Sequence, residues 1–466
     1  MISIPSRFNG IDIPVDKPFA NDKLGYGQYA AVLRDMVDMY KDSGCVLAIN
    51  GKWGTGKTTF MKMWKVALSP EKYNAIYFNA WETDYFSDPL TAILGELQDI
   101  SQDSESFKSV CAAIGKVTVA AGGAALKGLV KKAIGVDADL VKDSIDAAKS
   151  IVQSNLDDYK EQKQSLTEFK KKLSEYVAGQ DGKTVVFIID ELDRCNPHYA
   201  VRVLEIVKHL FDVPNICFIL AIDKTQLECS IKGFYGSSEI DAANYLRRFI
   251  DIEFNLPKPA IKDFTALLYE NYYFSEYFSN FQDCQKASSS SEALQTIAAD
   301  LFEAFDIDLR TYDKVFAHTR LAVMQLGNST ILTEVVLVLC FIRITLPDLF
   351  LKLQEHKCSI QELVEKIEAV FPRSLLDESL DIHHSFNVHH MMYVIGPILS
   401  MYDNNGGYYS PGIFKNISDS SELPIHCSIM DKDKLKEAIV WFRRYGSSSV
   451  ELDYAIKKVA LLQQFN

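Results

Sequence analysis

Five short apolar runs punctuate the first half of the chain: CVLAIN at 45–50, AIYFNAW at 75–81, TVVFIID at 184–190, ICFILAID at 216–223 and FIDIEFN at 249–255. Runs of this length, rich in β-branched and aromatic residues, predict strands buried on both faces, as in parallel sheets. Helical spacing fills the gaps between them. Tyr29, Val32, Leu33, Met36, Val37 and Tyr40 recur on one face, and residues 58–68, 88–101 and 199–211 read as further helices. Strands alternating with helices predict a parallel sheet with right-handed crossovers.

Two regions break that alternation. Residues 102–180 contain an Ala/Gly-rich piece followed by stretches rich in Lys, Asp and Gln, with no strand pattern. They read as a helical insertion. Beyond Pro257 the strand pattern stops: residues 260–400 read as helices broken by a Ser-rich linker at Ser288–Ser291. Residues 402–424 carry turn chemistry and read as a long loop, and helices near 431–443 and 449–464 close the chain. The fold class is therefore α/β: a three-layer sandwich around a parallel central sheet, with a helical insertion and an all-α C-terminal region. The expected divisions are 1–101, 102–180, 181–258, 259–400 (a helical lid) and 401–466 (a helical extension).

The ends of the apolar runs carry the chemistry. GKWGTGKT at 51–58 follows the first strand and opens a helix, matching GxxxxGK[ST] in the context that motif requires. Gly51, Gly54 and Gly56 let the backbone curl so that N–H groups face phosphates at a helix N-terminus. Trp53, Thr55 and Thr59 complete the nucleotide-binding set. Lys57 reaches the β- and γ-phosphates, and Thr58 supplies a hydroxyl to Mg2+. VVFIIDELDR at 185–194 puts Asp190 at the carboxyl end of a buried strand, where ligands bind a parallel sheet. Asp190 would hold magnesium, and Glu191 would polarise the attacking water, with Asp193 the rival base. These residues make the protein a P-loop NTPase candidate binding ATP and Mg2+; no NKxD guanine motif is visible.

Three further positions have two readings each. Asp223, ending ILAID, could orient water against the γ-phosphate or cap the following helix. Arg247 and Arg248, just before the last strand, could serve as a finger in trans or form surface ion pairs. Arg310 begins a helix in the all-α region, where a lid arginine could meet phosphate. The paired histidines His383, His384, His389 and His390 have no cysteine or acid cluster beside them, so they read as part of a core helix and no metal site is expected there.

Composition narrows the classes. A formal net charge of −13 disfavours a general nucleic-acid coat. Nine scattered cysteines without a CxxC pair fit free thiols in a reducing cytoplasm. The N-terminal MISIPSRFNGIDIP lacks the apolar core of a signal peptide. No integral membrane span is expected: Lys116, Lys127, Lys131 and Lys132 interrupt residues 110–135, and VVLVLCFI at 335–342 is bounded by Glu334 and Arg343, as in a buried helix.

With these motifs in place the chain resembles the KAP family of P-loop NTPases, within the STAND and AAA+-like group. The resemblance rests on NDKLGYGQYA at 21–30, GKWGTGKTT with Trp53, YFNAWETD at 77–84, IIDELDRC at 188–195, FILAIDKTQLECSIKGFYG at 218–236 and NYLRRFIDIEFNLP at 244–257. It implies ATP hydrolysis coupled to conformational change, frequent self-association, and a nucleotide cleft supported by Trp81 and Glu82. Many members carry transmembrane helices between the two Walker motifs; this chain departs there, because residues 102–180 are too charged to span. It also departs in having Asp190-Glu191 where the family often has Asp-Asp. Bacterial relatives often serve in phage defence. The expected partners are further copies of the chain and other subunits of a complex, with nucleic acid reached through a partner. Three functions follow in order: an ATPase driving assembly of a complex, a nucleotide-switched scaffold with slow turnover, and a nucleic-acid motor.

Overall fold

The computed structural model describes residues 12–85, 88–98, 104–120, 154–179, 182–210, 212–280, 284–326, 333–356, 358–377, 379, 382–404, 412–445 and 452–461. The chain separates into two compact units, one of them Ile11–Lys258 and the other containing Pro259–Asn466.

The first unit is built on five strands: β1 (Cys45–Asn50), β2 (Tyr73–Asn79), β3 (Thr184–Asp190), β4 (Ile216–Ile222) and β5 (Ile252–Asn255). They lie in the order β2-β3-β4-β1-β5, every neighbouring pair parallel. Every residue of β3 and β4 is buried, which is why each reads as an unbroken apolar run. The register aligns the carboxyl ends: Asn79 faces Asp190, Asp190 faces Ala221, and Asn50 faces Ile222. That shared edge is where the motif-bearing turns emerge.

Helices cover both faces. On one side lie α1 (Gly27–Tyr40) and α2 (Lys57–Ala67), whose Leu33, Val37, Phe60, Met61 and Trp64 pack on Leu47, Ile49, Ile188 and Ile219. The short α3 (Ala80–Thr83) follows β2 directly. The opposite side carries α4 (Pro89–Gln98), α5 (Ser104–Ala120), α6 (Ser154–Ala178), α7 (Pro197–Leu210), α8 (Lys224–Tyr235) and α9 (Ala242–Leu246). Alternate strand residues such as Phe78, Phe187, Phe218 and Leu220 face this second layer. The result is the expected three-layer α/β sandwich.

The described ends of the insertion belong to that core. Phe107, Val110 and Ile114 of α5 and Phe169, Leu173 and Tyr176 of α6 join the same buried cluster as Leu94 and Leu97. The Tyr176 hydroxyl donates to the Leu97 carbonyl at 3.0 Å. Burying side chains of this size stabilises by roughly 1.5–3 kcal/mol each, so α5 and α6 are anchored on the sheet layer. Residues 121–153, with Lys127, Lys131 and Lys132, lie outside the described residues.

Among the described residues, the second unit contains helices and no strand: α10 (Ile261–Asn271), α11 (Phe274–Ser279), α12 (Cys284–Ala304), α13 (Leu309–Leu326), α14 (Thr333–Thr345), α15 (Pro347–Glu355), α16 (Ile360–Val370), α17 (Ile382–Asn404), α18 (Lys432–Tyr445) and α19 (Leu452–Leu461). The Ser-rich linker expected at Ser288–Ser291 is corrected here, since α12 runs straight through it. Serine is a middling helix former, but Leu294, Ile297, Leu301 and Phe302 beyond it are fully buried, and the Ser291 and Tyr269 hydroxyls meet at 2.6 Å. Packing of one face outweighs the local turn tendency. All of Val335–Ile342 is buried within α14. Its 13 residues span only about 20 Å, and no helix among the described residues is long and apolar enough to cross a membrane.

Candidate functional site

The turn from β1 into α2 is shaped by its glycines. Gly54 and Gly56 have φ of 83° and 87°, left-handed values that side chains rarely tolerate. A Cβ at Gly51 would come within 2.9 Å of Thr55 Oγ1. The loop is braced from several sides. Gly51 N donates to Ile222 O at 3.1 Å, Thr55 Oγ1 to Lys52 O at 2.8 Å, and the buried Tyr26 hydroxyl to Thr55 O at 2.6 Å. No side chain caps α2, whose first residues are Lys57, Thr58 and Thr59. Its first N–H groups therefore face the loop as donors at the positive end of the helix dipole. Lys57 Nζ donates to Gly51 O at 2.5 Å and Lys52 O at 3.0 Å. Burial pushes its pKa below the ordinary lysine value, while Asp193, Asp223 and Asp190 pull in the opposite direction.

Asp190 ends β3 on the same edge and is almost fully buried. Its Oδ2 accepts from the Tyr77 hydroxyl at 2.7 Å and its Oδ1 from Glu191 N at 2.8 Å. Burial, reinforced by the Asp190 charge, drives the Tyr77 pKa far above the ordinary tyrosine value, so Tyr77 stays a donor. Glu191 itself adopts a left-handed φ of 59°, a backbone state uncommon for non-glycine residues. Arg194 Nη1 lies 3.0 Å from Glu191 Oε1, and Asn79 Nδ2 donates to Oε2 at 3.3 Å.

Asp193 is buried and accepts a short hydrogen bond from Trp53 Nε1, tying the phosphate loop to the segment after β3. Burial raises its pKa, against the lowering pull of Trp53 and Lys57. Asp223 caps α8: Oδ1 accepts from Thr225 N and Gln226 N at 3.1 and 3.4 Å, while Oδ2 accepts from Trp53 N at 3.1 Å. Both of its oxygens are thus engaged by backbone, one of them by the loop itself. Thr58 and Asp190 together offer hard oxygen donors of the kind magnesium takes, and the uncapped helix start with its left-handed glycines suits a polyphosphate.

The arginines are placed elsewhere. Asp251 embraces Val46 near the start of β1, its N donating to Val46 O at 2.9 Å and its Oδ2 accepting Val46 N at 2.8 Å. Arg247 and Arg248 precede it, so both lie toward the amino edge of the sheet, exposed to solvent. Gly51 lies five residues beyond Val46 on the carboxyl side, about 16 Å along the strand. The fold does not bring either arginine to its own chain's phosphate loop. Arg310 belongs to the helical unit, exposed at the start of α13, where its N–H donates to Asp308 Oδ1 at 3.0 Å. His389 packs on Tyr393 with ring centres 4.8 Å apart, and His390 lies 3.9 Å from Asp300. The side chains of His383 and His384 lie outside the described residues. Among the described residues no group of three or more His, Cys, Asp or Glu is arranged to hold a metal ion.

Three site residues, Tyr77, Asn79 and Arg194, are missing from the motif reading, and so is the contact of Trp81 with the Arg194 guanidinium. Asn79 Nδ2 also donates to Glu82 Oε1 at 2.8 Å, and its Oδ1 accepts Trp81 N at 3.1 Å. The available signal was a polar residue closing an apolar strand, the same signal that marked Asp190.

A family model described as the KAP family P-loop domain matches residues 26–323. The phage T7 exclusion protein of Escherichia coli (strain K12) is 21% identical over 270 residues, covering 54% of this chain and 36% of that protein. The chain therefore spans about a third of that relative's length. Among solved structures, the Aeropyrum pernix ORC2 protein, in ADPNP-ADP complexes, aligns over 99% of this chain and 97% of its own at 12% identity and a TM-score of 0.34.

Proposed function

The chain belongs to the KAP family of P-loop NTPases, and from that premise we propose that it binds ATP with magnesium, hydrolyses it, and uses nucleotide state to drive assembly of a protein complex. One observation carries the reading: the parallel register sets the uncapped start of α2, Asp190 and Glu191 on one edge of one sheet. The N–H groups of the loop and Lys57 would hold the phosphates. Thr58 and Asp190 would hold magnesium, with Tyr77 fixing the carboxylate. Magnesium, when bound, neutralises charge building on the phosphate oxygens. Glu191 would take the proton of the attacking water on a carboxylate oxygen, and Asp193 would keep the loop docked through Trp53. Arg247 and Arg248, away from their own loop, would serve the site of a neighbouring copy. The homo-oligomer is part of this proposal.

Similarity to the phage T7 exclusion protein supports a place in phage exclusion for this protein too. Cys45, Cys111, Cys195, Cys217, Cys229, Cys340, Cys358 and Cys427 are free thiols, which supports a cytoplasmic setting. Turnover tests the proposal. Glu191→Gln should keep ATP affinity and lose hydrolysis, whereas loss of hydrolysis in Asp193→Asn but not in Glu191→Gln would make Asp193 the base. Specific activity should rise with protein concentration. Mixing an alanine variant at the finger arginine with Glu191→Gln subunits should restore part of the rate. Concentration-independent activity without such rescue would sink the trans role.

A further inference from the structure

Arg194 is held from three directions, by two tryptophans distant in sequence and by Glu191 three residues before it. Its guanidinium carbon lies 5.9 Å from the Trp53 ring centre and 5.6 Å from that of Trp81. Trp53 comes from the phosphate loop and Trp81 from α3 behind β2, yet both large side chains stay exposed, at 38% and 50%. Neither indole is deeply buried; Trp53 is held by its Nε1 bond to Asp193 as well as by the cation, and Trp81 faces the cation. The guanidinium in turn meets Glu191 Oε1 at 3.0 Å, in a pair whose side chains are only 19% and 15% exposed. Glu191 Oε2 takes Asn79 Nδ2 at 3.3 Å. Each carboxylate oxygen thus has one donor, and neither donor belongs to the phosphate loop.

We infer that Arg194 is a positioning residue for hydrolysis, which fixes the Glu191 carboxylate while the Trp53 and Trp81 indoles fix the guanidinium. The inference rests on the proposed role of Glu191 as the base. A glutamate side chain has several rotatable bonds, and ordering it costs conformational entropy. A planar guanidinium can stack on two aromatic faces while donating in its own plane; an ammonium cannot do both. Closing the clamp through Trp53 also links the state of the phosphate loop to the orientation of the base. A rival role follows from the same geometry, because the Arg194 charge lowers the Lys57 pKa. Arg194 would then contact phosphate directly, and its loss would weaken binding rather than turnover.

Equilibrium ATP affinity and single-turnover hydrolysis distinguish the two in Arg194→Ala, Arg194→Lys and Trp81→Leu. Arg194→Ala should slow hydrolysis about tenfold, the scale of an orienting partner outside the reacting groups, with affinity unchanged within about twofold. Arg194→Lys should recover only part of the rate, and Trp81→Leu should lose rate in the same direction but less. Methylguanidinium added to Arg194→Ala should restore hydrolysis. In the Glu191→Gln background, Arg194→Ala should cost nothing further, because the arginine acts only through that carboxylate. An affinity loss as large as the rate loss, an unchanged rate, or full additivity with Glu191→Gln overturns the inference. A wild-type protein that binds ATP but never turns it over defeats the hydrolysis reading itself. That failure appears before any substitution is made and takes this inference with it.

Discussion

Replacing Glu334 by glutamine should make the protein less sensitive to alkali. Glu334 is the second residue of α14 and is buried, with Oε2 lacking a hydrogen-bond partner among the described residues. Its position in the first helical turn favours the anion by a few tenths of a kcal/mol up to about 1. Desolvation by burial wins and raises the pKa from 4.5 to about 7. The folded state therefore prefers the neutral acid. The stability this carboxyl supports is complete below pH 4.5, where both states are protonated, and is lost as pH rises through about 7. A pKa raised from 4.5 to about 7 amounts to about 3 kcal/mol in full, most of which falls between about pH 5 and about pH 8. Glutamine keeps the shape and cannot ionise. Urea unfolding at those two pH values should show wild type and Glu334→Gln nearly matched under acid conditions, with the variant ahead by roughly 2 kcal/mol or more under alkaline ones. Parallel pH profiles for the two proteins would refute the reasoning.

Other outcomes follow from single contacts. Tyr77→Phe removes the hydroxyl that holds Asp190 at 2.7 Å; the magnesium needed for half-maximal nucleotide binding should rise about tenfold or more, and an unchanged requirement would separate Asp190 from the metal. Glu368 accepts from the N–H groups of Ser428, Ile429 and Met430 at 2.7–3.1 Å, so Glu368→Gln should lower the unfolding midpoint by the equivalent of about 2 kcal/mol. The protein expressed without partners should remain in the supernatant when membranes are washed; most of it appearing in the membrane fraction would contradict the reading of residues 102–180 as too charged to span.

β1, β3 and β4 were legible because both of their faces are buried. Cys45–Asn50, Thr184–Asp190 and Ile216–Ile222 appear in the sequence as near-continuous apolar runs of the observed length. β5 begins later than its run suggests: Phe249 and Ile250 pack as a turn before Asp251 docks on Val46. The glycine loop and Asp190 stood out because one strand end and one spacing locate each. Asn79 and Arg194 did not, because their meaning depends on β2 lying beside β3, a pairing that joins residues more than a hundred positions apart. Glu82 and Trp81 entered only through family resemblance, and the contacts each makes were invisible until α3 was placed against the turn after β3. The Ser288–Ser291 run misled for the opposite reason: local turn chemistry is written in the sequence there, while the buried face that overrides it begins at Leu294. The edge assignment of Arg247 and Arg248 likewise needed the direction of β5, which composition alone does not carry.

The account rests on phosphate being held where β1 turns into α2. A titration of ATP and magnesium into wild type and Lys57→Ala, followed by calorimetry, tests this most directly. One charge-assisted contact is worth roughly 1.5–3 kcal/mol, so the variant should bind on the order of ten- to a hundredfold more weakly, with the fold intact by circular dichroism. Equal affinity in the two proteins would place the nucleotide elsewhere and contradict the site built from Gly51–Thr59 and Asp190.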